Sequence, residues 1–316
     1  MTTDEMDNNL LYLQSISGGG TAGNGATGPQ GSTGPQGSTG TGATGPQGYQ
    51  GPAGGGSASS IFSEGSAPLS TQRDGAGTAS GPASVVSGGY ENISSGTGSV
   101  ISGGTLNAAS GSGSFIGGGR SNSASGACST VSGGYSNTAS GYFSTVSGGY
   151  CNTASSYFST VGGGFQNLND GESATIAGGE GNVIESGGTK SFIGGGASNT
   201  ASGCYSSIIG GNQNSASGNH STIGGGQCNT SSGYCPSTVS GGYRNVASGQ
   251  LSTIAGGSNN IASGDTSTIA GGTSNAASNT YATIAGGKSN TASGGASTIG
   301  GGSWNISSGY YSTIAG

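Results

Sequence analysis

The sequence predicts an all-β fold: residues 77–316 form a parallel β-solenoid of fifteen-residue coils, preceded by a collagen-like stalk and assembled as a trimer. Three observations point there. A fifteen-residue unit, plainest at 129–143 as STVSGGYSNTASGYF, recurs through the last three-quarters of the chain. Glycine falls at every third position over most of residues 25–56. The composition, with 75 glycines in 316 residues, 29% hydrophobic and 5% charged, leaves too little apolar material for an ordinary core, which draws on about 45–50% apolar residues.

Composition also bounds function. A net charge of −6 with five Lys and Arg provides no basic stripe for phosphates, so no nucleic-acid partner is expected. A single histidine, His220, excludes a His-rich metal site and a repeated Ser-His arrangement. No catalytic residues, metal or cofactor are expected. No apolar run reaches the 18 or more residues of a membrane span. The N-terminus, MTTDEMDNNLLYLQSIS, opens with Asp4, Glu5 and Asp7, and carries no recognisable secretory signal, which needs a basic start and an unbroken apolar stretch. The five cysteines, Cys128, Cys151, Cys204, Cys228 and Cys235, match no zinc spacing and read as free thiols.

In chain order, residues 1–17 carry a helix-start signal, Thr2 followed by Glu5 ahead of Leu10–Ile16, and read as an attachment segment. Residues 18–56 hold ten Gly-X-Y triplets, interrupted at Gly40-Thr41, with Pro29, Pro35, Pro46 and Pro52 at X. Glycine alone fits the axis of three wound polyproline-type chains, so this is a candidate triple helix of roughly 90 Å; a flexible glycine-rich linker is the alternative. Residues 57–76 break both patterns and read as a junction that caps the array.

The array aligns on an asparagine column running from Asn92 through Asn137, Asn152, Asn260 and Asn275 to Asn305. Its spacing is 15 except for 17 at 182→199 and 16 at 229→245, and Gly77 takes the place of Asn in a degenerate first unit. Val or Ile stands six residues before every asparagine, as at Val131, Val146, Ile254 and Ile269. A Gly-Gly pair fills the fourth and third positions before it, and Ala stands two after it in ten of fifteen units. STVS and NTAS alternate with period two, so each reads as a short strand, and the glycines read as corners. Two strands and two corners make a coil; sixteen coils stacked about 4.8 Å apart make a rod of roughly 75 Å. The inward set is one β-branched residue and one alanine per coil, and so thin a core favours contacts between chains. The asparagines read equally well as a stacked internal ladder or as turn residues that accept a left-handed backbone.

The unit STVSGGYSNTASGYF resembles the head repeat of YadA-type trimeric autotransporter adhesins: a Ser-and-aliphatic strand, a Gly, a Ser/Asn-x-Ala strand and another Gly. The resemblance covers about three-quarters of the chain and implies a left-handed β-roll that packs as a trimer and serves in surface attachment. Here the unit is one residue longer, with an extra glycine, and the sequence shows neither the family's coiled-coil stalk nor its membrane barrel. The pairing of a collagen-like tract with a β-roll is also similar to giant-virus and phage fibres and to spore-surface filaments.

The expected function is attachment by a non-enzymatic fibre at the surface of a virion, spore or cell. Its expected partners are copies of itself and a glycan or host receptor, with a filament subunit joining end to end as the alternative. The candidate contact surface is the corner line of Tyr142, Tyr157, Tyr234 and Tyr310, each five residues after its asparagine. Exposed tyrosine offers contact area with a polar tip, though packing along the rod or at a trimer seam accounts for the same pattern. The acids Asp170, Glu172, Glu180 and Glu185 lack the regular calcium motif and read as solvated corners.

Overall fold

A computed structural model describes residues 77–316 and the backbone of two short strands ahead of them, β1 (Phe62–Glu64) and β2 (Thr71–Arg73). All of these lie in one compact unit, Ala58–Gly316. The attachment segment and collagen-like tract expected over 1–56 lie outside the described residues.

Among the described residues every regular element is a strand, and the repeat explains why each is so short. In Thr130–Val131 and Thr138–Ala139 a β-branched residue faces outward and a neighbour is fully buried. Glycine and serine on either side allow the chain to bend before a third residue joins. β3 (Gly77–Ala79) and β4 (Val85–Val86) form the first coil. From there one strand per half-coil stacks parallel and in register on its equivalent in the next coil: Thr130 pairs with Thr145 and Val131 with Val146. The result is an eighteen-stranded sheet through the Val/Ile column and a sixteen-stranded sheet through the Ala column. β1 and β2 open the first sheet as an antiparallel hairpin, and β2 pairs parallel with β4. Gly77 sits opposite Asn92, so the degenerate first unit keeps the register.

Two corrections to the expected coil follow. A third parallel ladder runs along the residue two before each asparagine, as single bridges from Tyr90↔Thr105 to Lys288↔Ser303. The amide of Tyr135, for example, donates to Gly149 O at 2.9 Å. The left-handed corner positions are also not the asparagines, nor glycines alone. They comprise the second glycine of each pair, as expected (Gly272, φ 88°), and in addition the residue just before each asparagine and, in most coils, the sixth after it, occupied by Ser136 (φ 52°), Phe143 (φ 57°), Arg244 (φ 52°), Leu251 (φ 55°) and their equivalents. That region costs non-glycine residues roughly 1–2 kcal/mol each. It is offset here because most such amides bond back to the preceding coil, as Phe143 N does to Ala127 O and Arg244 N to Gln227 O, each at 3.0 Å.

Between the sheets lie four buried side-chain columns: Val or Ile, Ala, Ser and Asn. Val131, Val146, Ile254 and Ile269 are fully buried. The asparagines form a continuous hydrogen-bonded ladder. Asn152 N donates to Asn137 Oδ1 at 2.9 Å, and Asn275 N to Asn260 Oδ1 at 3.0 Å. From Asn92 to Asn290 each Nδ2 donates to a glycine carbonyl of its own coil and to one of the next: Asn137 to Gly133 O at 3.0 Å and Gly149 O at 2.9 Å, Asn260 to Gly256 O and Gly272 O at 3.0 Å each. Amide and carbonyl are both satisfied, which is what lets fifteen-residue units carry a buried polar group per coil without loss. The longer spacings are absorbed in the turn after the second-sheet strand, and the ladders on either side stay in register, as Val183↔Thr200 and Thr222↔Thr238.

Candidate binding surface

Most exposed aromatic side chains leave the rod at two corners, and stacking coils in register turns each corner into a column. On one corner, two before the asparagine, Tyr135 and Tyr150 stack with ring centroids 5.0 Å apart, and Tyr150 and Phe165 at 5.2 Å. The guanidinium of Arg120 lies 5.8 Å from the Tyr135 ring. These separations follow the coil repeat, since identical positions in a parallel ladder lie about 4.8 Å apart.

The opposite corner carries the four tyrosines picked out from sequence. Tyr142 and Tyr157 meet, with centroids 5.0 Å apart and planes 14° apart. They are joined by Phe143 and Phe158, which stack on each other at 5.1 Å and lie edge-on to the tyrosines at 4.4 and 5.1 Å. All four rings are exposed, making a contiguous aromatic patch over two coils. Tyr234 and Tyr310 stand in the same column, but each is five coils further along, about 24 Å per step. Tyr234 is 78% exposed, in the coil lengthened by Pro236, and Tyr310 pairs with Tyr311 at 4.4 Å. The hydrogen bond with Tyr311 raises the Tyr310 phenol above its ordinary value. The four tyrosines are therefore three separate places on one line.

Phe143 and Phe158 went unremarked in the sequence reading because their position, six after the asparagine, varies from coil to coil. Their signal was the Tyr-Phe pair in consecutive units, YFSTV at 142 and again at 157. Parallel stacking turns the ring faces toward each other and presents edges and phenol oxygens outward. Beyond Tyr142 in its column comes Ala127, whose methyl is too small to cover a ring.

The neighbouring column, that of Phe143 and Phe158, continues with a second small cluster. Lys190 Nζ donates to Tyr205 OH at 2.9 Å and lies 5.1 Å from that ring, and Tyr205 stacks on His220 at 4.9 Å. The bond to Tyr205 raises the Lys190 ammonium above its usual value. At the start of the array, Thr78, Tyr90, Glu91, Ile93 and Leu106 line an open recess, where Glu91 raises the Tyr90 phenol by a hydrogen bond. Among the described residues no three His, Cys, Asp or Glu side chains come together as metal ligands, and the five cysteines are free thiols. No described helix is long and apolar enough to cross a membrane.

Two stretches, residues 129–141 and 237–249, match the model of the ubiquitous surface protein adhesin repeat. Each runs from the buried serine of one coil, through both strands and the Gly-Gly corner, to the glycine after the second strand. The repeat is thus adhesin-like in fold. The matched segments stop just before the corner that bears Tyr142, so the match covers the scaffold and not the aromatic patch. No curated protein matches the chain.

Proposed function

We propose that this chain is a non-enzymatic, adhesin-like surface fibre. Its solenoid head is presented for attachment on a collagen-like stalk over residues 18–56, anchored through residues 1–17, and it acts as a homotrimer on a virion, spore or cell. The observation that carries the reading is the exposed patch of Tyr142, Phe143, Tyr157 and Phe158 on a rod whose scaffold positions match an adhesin repeat. Exposed, pre-ordered aromatics lose little conformational freedom on binding and supply apolar area with hydroxyl tips, as a glycan or a protein receptor requires. Trimeric display adds avidity to weak contacts.

The test is binding of the full chain to glycan arrays and to whole cells, beside a variant with Tyr142, Phe143, Tyr157 and Phe158 all replaced by Ser. The variant is expected to keep the β-spectrum and lose at least tenfold in binding, while Tyr234→Ser with Tyr310→Ser changes it less. Absence of any bound cell, glycan or matrix protein, with molecules joining end to end instead, establishes the filament reading in its place.

A further inference from the structure

We infer that the outer face of the first sheet, together with the Gly-Gly corner beside it, packs against a second copy of this chain. The inference rests on the proposed trimer and assigns the surface that would build it.

The first observation is charge. This face comprises the outward residues at seven and five before each asparagine and the two glycines that follow. Residues 77–316 hold ten Asp, Glu, Lys and Arg residues, and none falls on it. They stand elsewhere in the coil, as Arg120, Glu180 and Lys288 in the column at its rim and Asp170 and Glu185 on the outer face of the second sheet. On the face itself stand seven consecutive in-register threonines, from Thr222 to Thr313, alongside short residues such as Ala255, Ala270 and Ala285. Larger apolar groups, Phe115, Phe192 and Ile209, are exposed there. Depletion of charge with retained apolar area marks the buried part of an interface.

The second observation concerns the adjacent glycines. The second of each pair is demanded by the coil: Gly272 has φ +88°, and a Cβ there would strike the carbonyl oxygen of Gly287. The first is not. A Cβ on Gly271, Gly286 or Gly301 would meet nothing within 4 Å, and φ at this column is in the ordinary range in all but five coils. Glycine nevertheless fills it in all fifteen units that carry the asparagine. In the ten coils where φ is ordinary nothing inside the chain calls for that restriction, whereas a neighbour approaching the backbone closely does.

The third observation is periodicity and size. A surface that repeats every coil, about 4.8 Å, is matched along its length by a partner with the same repeat, and another copy of this solenoid has it. Sixteen coils by about four residues of width give roughly 1,000 Å² for the face, against about 800 Å² per partner in a stable interface.

The experiment uses the full chain with a photo-crosslinking p-benzoyl-phenylalanine in place of Gly271, and separately of Ala285. Sedimentation of the unmodified chain comes first: three chains are expected, and a monomer overturns both the proposed assembly and this face. Irradiation is then expected to give chain-to-chain products whose attachment points map to residues 77–316 of the neighbour. Three chains by sedimentation with no such product from either position overturns the face and leaves the trimer standing. Where the bulky side chain itself parts the chains, the variant sediments as fewer than three while keeping its β-spectrum, which supports the face.

Discussion

Asn259 and Asn260 are adjacent, chemically identical and placed in opposite environments. Asn260 is fully buried, with its amide donating to two carbonyls and its Oδ1 accepting from Asn275 N; Asn259 is exposed, with φ 57°. Asn260→Asp replaces a donor between two carbonyl oxygens with an acceptor and places a charge where water cannot follow. We expect a loss of several kcal/mol in thermal or denaturant unfolding at neutral pH. Burial raises the pKa of the new carboxyl in the folded state. The charge part of the penalty is therefore absent below the unfolded value of about 4, grows as pH rises toward the folded pKa and is complete above it, while the cost of the lost amide donor remains at every pH. Asn259→Asp is expected to stay within about 0.5 kcal/mol. A pH-independent loss at position 260, or equal losses at both, is incompatible with the ladder.

At the scale of one coil, the corner decides more than the strand. Gly272→Ala forces a Cβ into the next coil's backbone at a left-handed φ and is expected to cost more than about 3 kcal/mol, while Gly271→Ala leaves the coil itself intact. Circular dichroism melts of the two variants separate these outcomes. Ile254, fully buried between Val239 and Ile269, is expected to lose about 2–5 kcal/mol on replacement by Ala. In a quasi-one-dimensional array such a loss stays near its own coil, so amide exchange should rise around residues 239–269 before it does elsewhere. Length obeys the same geometry. One residue inserted between Gly264 and Asp265 lies in the turn that already absorbs the extra Pro236, and is expected to be tolerated. The same insertion between Thr253 and Ile254 turns the buried face outward and is expected to unfold that coil, as proteolysis would show.

Over the whole molecule, repetition supplies both rigidity and display. Removing one full unit, residues 253–267, should leave a shorter rod with an unchanged β-spectrum per residue. Removing fourteen residues breaks three ladders and the asparagine column together, and the spectrum should show the loss. The rod's sheets are short-sided and largely uncharged, and its corners vary from coil to coil, with Tyr142, Phe143, Tyr157 and Phe158 gathered at one of them. A fixed scaffold with variable corners is a reasonable plan for attachment, because corner residues change without touching the buried columns.

The residue order makes legible the class, the coil length, the register and the buried aliphatic and alanine columns, because a parallel solenoid places identical positions directly above one another and any drift from fifteen residues would show. It also identified Tyr142 and Tyr157 as corner residues. Whatever depends on direction and contact was set by the stacked fold. It turned the asparagines inward, where two glycine carbonyls accept their amides, and gave the left-handed backbone to Ser136, Phe143 and their equivalents, residue types whose propensities do not announce it. It also added the third ladder and separated Tyr234 and Tyr310 from the aromatic patch, while bringing Phe143 and Phe158 into it. Neither neighbouring glycine of a pair can be told from the other by letter. Their difference lies in the distance to the next coil, a property of stacking rather than of the chain.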